Sequence, residues 1–158
     1  MATDGTCCLN FSRMKKIDIN KFDAEKLHFV SYKTIEENIS VPEFFDSHLI
    51  THFDTENNVD IAFNIEEKLI RSQFDIDITT VSDNEDQART SLKFIFLFKC
   101  DNMEKLAKPQ NDTAEVDASL GFAVSAISHS TARGILLIKL SDTVFADFIL
   151  PIVKPKLP

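Results

Sequence analysis

Three consecutive stretches of this sequence alternate apolar with polar residues, and a period of two is typical of strands with one buried face. Polar turns at residues 66–68 and 83–86 separate the stretches. Strands joined by short turns pair as antiparallel neighbours, so the pattern predicts an antiparallel sheet. The apolar positions are Val59, Ile61, Phe63 and Ile65, then Ile70, Phe74, Ile76 and Ile78, then Leu92, Phe94, Phe96 and Phe98.

The chain on either side of these stretches completes a predicted α+β fold. A short apolar run predicts a further strand over residues 26–32. Asp112 and Glu115 have the spacing of a capping box, and apolar residues follow at helical spacing as far as Ile138. They predict a helix over residues 113–140, either continuous or broken within the polar Ser125–Ser130 stretch. We therefore expect a four-stranded antiparallel sheet with a long C-terminal helix packed on one face.

Residues 34–58 differ from the rest because they contain six acidic residues and no lysine or arginine. Within them, Phe45, Leu49 and Phe53 recur at intervals of four, which is one face of a helix. This segment is predicted to be an acidic excursion with a short helix over residues 43–51. Residues 1–12 are predicted to form a loose terminus, and residues 13–158 a single domain.

The composition excludes several classes of protein. A net charge of −8 without a basic patch argues against nucleic-acid binding. Only three glycines occur, unclustered, so no phosphate-binding loop is expected. Three cysteines, two of them adjacent, do not make a disulfide framework. The first residues lack a signal-peptide pattern, and no apolar stretch approaches the length of a membrane span. These features predict a cytoplasmic protein without membrane insertion.

No group of residues has the spacing of a catalytic or metal site. His48 and His52 are four residues apart but lack the glutamate of a zincin motif, so they are interpreted as surface residues. Helical neighbours point apart, and His129 is therefore poorly placed to activate Ser128 or Ser130. The sequence thus predicts no enzyme, no metal and no cofactor.

The chain has 14 phenylalanines, one tyrosine and no tryptophan. The phenylalanines on alternating faces are predicted to be core, whereas those outside regular alternation can line an exposed groove. A groove of this kind binds other polypeptides through its apolar side chains. The predicted contacts are Phe44, Phe45, Leu49, Phe145, Phe148 and Ile149.

The third alternating stretch is apolar on both faces, because Ile95 and Leu97 lie opposite its phenylalanines. A strand covered on both sides predicts contact with a second subunit. Small residues on the helix would let another helix approach closely. The predicted interface residues are therefore Ile95, Leu97, Gly121, Ser125 and Ser128.

The C-terminal part resembles the SecB family of export chaperones and its divergent SecB-like members, including those tied to toxin–antitoxin systems. The resemblance covers Val59–Val153 and depends on the order and spacing of a few motifs. These are Leu120-Gly121, Ala132-Arg133-Gly134, Thr143 and Leu150-Pro151-Ile152-Val153. It implies dimers and tetramers that bind unfolded or presecretory polypeptides in apolar grooves without ATP. The sequence ends at Pro158 without the family's second C-terminal helix and zinc-contacting tail, so docking on the translocase motor is not implied.

Two hypotheses follow for the function. The first is an ATP-independent chaperone, or holdase, that binds non-native polypeptides and forms a homodimer or homotetramer. The second is a dedicated adaptor on the same fold with one specific partner, such as a toxin–antitoxin-associated chaperone. An aggregation assay with unrelated unfolded proteins distinguishes the two hypotheses, since a holdase should protect several of them. A dedicated adaptor would instead co-purify with its single partner.

Overall fold

The computed structural model describes residues 6–9, 22–110 and 113–152. Four long antiparallel strands and one short strand at the side form the sheet. Two helices and a β-hairpin follow the sheet strands along the chain. The order β1-β3-β4-β5-β2 places β4 and β5 at the centre and β2 at an edge. The strands are β1 (Thr6–Leu9), β2 (Leu27–Ser40), β3 (Ile50–Asn64), β4 (Leu69–Ser82) and β5 (Arg89–Cys100). They are followed by α1 (Met103–Leu106), the hairpin β6 (Ala107–Gln110) and β7 (Thr113–Val116), and α2 (Ala118–Lys139).

The pairing register explains why one face of the sheet is the core. Phe74 on β4 lies opposite Phe94 on β5, and their rings stack with centroids 6.5 Å apart. Neighbouring pairs at the same register extend the apolar face along both strands, and α2 packs over it. The predicted α+β architecture, an antiparallel sheet with a C-terminal helix, is confirmed.

Helix α2 begins later than the sequence predicts. Ala114 and Val116 are buried two residues apart, so this segment pairs as strand β7 rather than forming the first helical turn. Asp117 is the N-cap, and its carboxylate accepts a hydrogen bond from the Ser119 backbone N–H at 2.9 Å. The helix then runs without a break to Lys139. Of the predicted capping box, Asp112 lies outside the described residues.

The prediction for residues 34–58 is wrong. Strand β2 continues through Ser40 and β3 begins at Ile50, so most of this segment is sheet. The only helical turn is a 3₁₀ turn at Ser47–Leu49, capped by the Asp46 carboxylate. The helical spacing was misleading because Phe45 and Phe53 pack against the core from a loop and a strand. Thr6–Leu9, assigned to a loose terminus, pair with β3, and the other residues of that assignment lie outside the described part.

Helix α2 has the length and hydropathy that a membrane-spanning helix needs, contrary to the sequence prediction. Core helices of soluble domains meet the same criterion. Here the sheet-facing side of α2 is buried, and the Ser128 hydroxyl donates to the Ser72 hydroxyl of β4 at 2.8 Å. That buried polar pair fixes the helix over the centre of the sheet.

Candidate functional site

Strand β2 holds an exposed apolar surface, which we call the edge surface. Among the described strands it pairs with β5 alone, and the packing of α2 is chiefly on β3, β4 and β5. Its apolar side chains therefore stay accessible, with Phe29 45% and Tyr32 52% exposed. Single exposed apolar residues are ordinary, but several on one strand make that strand a candidate interaction surface. The edge surface consists of Phe29, Val30, Tyr32, Ile35 and Ile39.

Irregular pairing brings the two aromatic residues of this surface onto one face. Residues three apart on a regular strand point to opposite faces, but the register shifts between Phe29 and Ser31. Phe29 therefore lies beside Phe98, with ring centroids 5.4 Å apart, and Tyr32 lies beside Phe96 at 6.4 Å. The exposed rings continue the aromatic core outward to the sheet edge.

The outer side of α2 is also apolar. Ile127, Leu137 and Ile138 are exposed, and a Cβ added at Gly134 would meet nothing within 4 Å. The helix reaches β2 at its C-terminal end, where the Lys139 ammonium lies 2.6 Å from the Glu37 carboxylate. A second accessible apolar set therefore lies on the helix that approaches the edge strand.

Polar contacts fix β2 at several points. The His28 imidazole lies 2.8 Å from the Asp101 carboxylate just after β5, and this hydrogen bond lowers the pKa of Asp101. Lys93 on β5 pairs with Glu36 at 3.3 Å. These contacts are on exposed or half-exposed side chains, so they position the strand without covering its apolar residues.

The connection between β2 and β3 adds an exposed residue and a cavity. Phe44 is 87% exposed, the highest value among the large apolar side chains described. Beside the connection is an open cavity of about 430 Å³ between the start of β3 and the turns after α2. Its lining residues are Ser47, His48, Ile50, Thr51, His52, Phe53, Thr143, Val144, Ala146 and Asp147.

The cavity does not assemble the metal site that its two histidines suggest. His52 lies 3.6 Å from Asp54, and within the described residues no group of three or more His, Cys, Asp or Glu side chains could hold a metal ion.

The predicted contact residues differ in how far the structure exposes them. Phe44, Leu49 and Ile149 are exposed, whereas Phe45 is only half-exposed and packs on the core. The assignment of Phe145 and Phe148 to the surface is wrong because both are buried in the core. Phe53 lies between them, with ring centroids 6.3 Å and 5.7 Å away. These two residues hold the turns after α2 against the sheet.

The predicted interface residues also divide. Ile95 and Leu97 are half-buried on the sheet face opposite α2, and Ser125 is half-buried on the helix. Gly121 and Ser128 are buried within the single chain, so their assignment to an interface is wrong. The sequence missed the edge surface. The apolar run at residues 27–30 indicated a strand, but nothing in the run shows that this strand ends the row of described strands.

Two basic side chains on α2 have unusual surroundings. His129 packs edge-on against Phe74, with ring centroids 5.8 Å apart. Burial lowers the pKa of His129, and the positive charge of Arg133 lowers it further. Ser128 is occupied by its bond to Ser72, so Ser128 and His129 do not form a nucleophile and base pair.

Comparison with known proteins finds a solved structure with a similar fold. No protein-family model matches the sequence, and no curated protein matches it. Among solved structures, the chain is similar to Mycobacterium tuberculosis Rv1957, a SecB-like chaperone in complex with a ChAD peptide from the Rv1956 HigA1 antitoxin. The TM-score is 0.62 over 82% of this chain and 93% of that chain, with 11% sequence identity. The chain therefore has the fold of a SecB-like chaperone.

Proposed function

We propose that this protein is an ATP-independent chaperone that binds apolar segments of other polypeptides. The observation that carries the proposal is the edge surface, where Phe29 and Tyr32 of the edge strand β2 expose their rings. The similar Rv1957 was solved with a peptide bound, which supports polypeptide binding on this fold.

Two physical effects would contribute to binding. Covering apolar area is worth ~25 cal/mol per Å², and the exposed rings supply that area in a rigid form. Within the described part of the chain, the backbone of β2 pairs with β5 alone, so an extended polypeptide can add hydrogen bonds along its other side. Backbone pairing is indifferent to sequence, which suits a protein that binds varied clients.

The proposal extends to a cytoplasmic homo-oligomer. A second copy could pair along the same edge of β2, since a long unpaired edge readily recruits another strand. Client and second copy would then compete for part of the surface, and the exposed residues of α2 would remain for the client.

A dedicated adaptor is the second candidate. The antitoxin peptide held by Rv1957 favours it, because that peptide comes from one named protein. The net charge of −8 adds a preference for a partner with a basic face. An adaptor would co-purify with one partner in fixed ratio and leave unrelated unfolded proteins unprotected.

An aggregation assay with two unrelated unfolded proteins, without nucleotide, tests the proposal. The wild-type protein should suppress light scattering from both. The double variant Phe29→Ser/Tyr32→Ser should lose most of this protection because it removes the exposed rings. Ile152→Ser is the matched control, since it removes an apolar side chain that is 75% exposed outside the edge surface.

Two results would contradict the proposal. Absence of protection by the wild type at molar excess would exclude a general chaperone. Equal loss of protection in the double variant and in Ile152→Ser would show that the edge surface is not the binding site.

A further inference from the structure

Strand β2 has a different chemistry on each of its two faces. On β5, alternate residues from Thr90 to Cys100 are buried on the face over which α2 packs. Residues paired across two strands share a face, so the β2 partners of these residues lie on the same side as α2. This side of β2, which we call the helix face, carries Leu27, Phe29, Tyr32, Thr34, Glu37 and Ile39.

The other face of β2 is polar at every residue that pairs with β5. The residues are His28, Ser31, Lys33, Glu36, Asn38 and Ser40. The neighbouring residues Glu36 and Glu37 agree with this division, because they pair with lysines on different elements. Glu37 meets Lys139 of α2, whereas Glu36 meets Lys93 of β5. Strand β2 is therefore amphipathic, although the aromatic rings on its helix face are about half exposed.

The edge of β2 determines where the side chains of a bound strand would lie. Among the residues that the structure describes, no strand lies on the side of β2 away from β5. A polypeptide that pairs along that side becomes the next strand, and its side chains alternate between the same two faces. Every second side chain then lies beside Phe29 and Tyr32 on the helix face. The side chains between them lie beside Ser31 and Lys33.

Two irregularities divide this edge into short regular stretches. The register shifts at Val30 and at Ile35, neither of which has a partner on β5. A bulge bends its strand and disrupts the ladder locally, so regular pairing is left over residues 31–34 and 36–40. A bound segment therefore needs only four or five residues in alternation at either stretch.

We propose that the segment bound at this edge is an extended stretch that alternates apolar with polar residues, in other words an unpaired amphipathic β-strand of the client. Such a segment covers the exposed rings with its apolar side chains and keeps its polar side chains beside the polar face. A run of consecutive apolar residues would place half of its side chains on the polar face, where they cover no apolar area. Backbone pairing would be the same in both cases, so the side-chain pattern decides between them.

This inference rests on the proposed function and narrows its clients. Alternation is the pattern of strands that bury one face in a folded protein. The preferred clients are therefore unfolded chains that are rich in such strands. A segment whose apolar residues form one continuous run, or recur at helical spacing, should bind more weakly.

Fluorescence anisotropy with two labelled peptides of identical composition tests the inference. Both are short, with blocked ends and the same valines, phenylalanines, serines and glutamates. In the alternating peptide the apolar residues occupy every second position, and in the block peptide they are consecutive. The alternating peptide should bind the wild type about tenfold more tightly, because more of its apolar side chains reach the helix face.

Methylation of the peptide backbone separates strand pairing from general apolar binding. Successive N–H groups of a strand point to opposite edges, so methylating alternate residues blocks one edge and leaves the other intact. In the alternating peptide, one set of methylated positions should weaken binding about tenfold, and the other set should weaken it little. Equal losses for the two sets would show that no edge pairing occurs and would overturn the inference.

A variant with an apolar second face should lose the preference. Ser31→Phe/Lys33→Phe gives the polar face two rings, so the block peptide gains contacts on that side, and the tenfold difference should shrink to about twofold. The matched control Arg71→Phe adds a ring on the same face at an exposed position of β4, which β5 separates from β2, and should keep the full difference. If the double variant does not fold, as a thermal melt would show, the two methylated sets still decide the matter.

Equal binding of the alternating and the block peptide by the wild type would overturn the inference. The proposed function would stand in that case if Phe29→Ser/Tyr32→Ser weakens both peptides. If neither peptide binds, the inference fails as well, and the aggregation assay decides the proposed function by itself. A second copy of this chain seated on β2 would also abolish the preference, and light scattering coupled to size-exclusion chromatography would identify that copy by the oligomeric mass.

Discussion

Phenylalanine occurs both at the centre and at the edge of the sheet, but it is buried in one place and exposed in the other. Phe94 on β5 is completely buried, whereas Phe29 on β2 is 45% exposed, although both belong to aromatic sets on antiparallel strands. The difference comes from position, since β5 has a strand on each side and α2 above it, while β2 has one neighbour among the strands that the structure describes. Apolar sequence therefore supplies stability at the centre and leaves accessible area at the edge.

Helix α2 contacts the centre and the edge of the sheet through two different kinds of polar pair. Over the centre, a buried hydroxyl pair joins Ser128 to Ser72. At the edge, a half-exposed ion pair joins Lys139 to Glu37. Buried polar pairs depend on each other for satisfaction, whereas solvent can replace either partner of an exposed pair. Substitutions at the centre should consequently change the free energy of unfolding strongly, and substitutions at the edge should change it weakly.

The largest expected difference concerns the phenylalanines. Phe94→Ala should lower the free energy of unfolding by ~3–5 kcal/mol, because it removes a fully buried ring that packs on Phe74 and Phe96. Phe29→Ala should lower it by about 1 kcal/mol, since nearly half of that ring is already in water. Urea denaturation of both variants measures the difference. Similar losses in the two variants would contradict the division between centre and edge.

The second prediction concerns the buried hydroxyl pair. Ser128→Ala should lower the free energy of unfolding by ~1–3 kcal/mol, because the Ser72 hydroxyl is left buried without its partner. The double variant Ser72→Ala/Ser128→Ala should recover much of that loss, since neither polar group then needs satisfying. A double-mutant cycle from thermal or urea unfolding gives the coupling. Additive losses would show that the two hydroxyls act independently.

The contrast between centre and edge also explains what could be predicted from the sequence. Alternation over residues 59–98 predicted the paired strands, because a period of two has one structural meaning when one face is buried. The start of α2 was missed because Val116 fits a helical period and a strand period equally well. Strand β7 is decided by its pairing with β6, which is tertiary information.

The candidate site was harder to predict for a related reason. Phe145 and Phe148 lack regular spacing because they lie in turns, yet both are buried. Phe29 and Tyr32 lie in a strand, yet both are exposed because that strand is at an edge. Irregular spacing is therefore a poor guide to exposure. The order of strands in the sheet decides it, and no local pattern contains that order.

The third prediction concerns the ion pair at the edge. Lys139→Met keeps the aliphatic stem and removes the charge opposite Glu37. The free energy of unfolding should fall by less than about 1 kcal/mol, because water screens half-exposed pairs. The difference from the wild type should shrink further in high salt, which leaves the Ser128→Ala effect unchanged. A loss comparable to that of Ser128→Ala would mean that the edge contact is as important to the fold as the central one.

The smallest expected effect is a pH dependence of the free energy of unfolding that is due to His129, on the side of α2 that packs on the sheet. Burial lowers the pKa of His129 below its ordinary value of 6.5, so the unfolded chain takes up a proton at a higher pH than the folded chain. As pH falls through about 6.5, the free energy of unfolding should therefore decrease, and it should decrease less in His129→Gln.

The hydrogen bonds that lower the pKa values of Asp101 and Glu104 act in the same sense as His129 but at a lower pH. Stability from those carboxylates is complete above their ordinary values of 3.8 and 4.5 and is lost only in stronger acid. The window from about pH 7 to about pH 5 consequently isolates the histidine contribution. Melting temperatures across that window, with His48→Gln as the control for removing an exposed histidine, measure the slope. Identical slopes in the wild type and in His129→Gln would show that His129 is no less readily protonated in the folded chain than in the unfolded one.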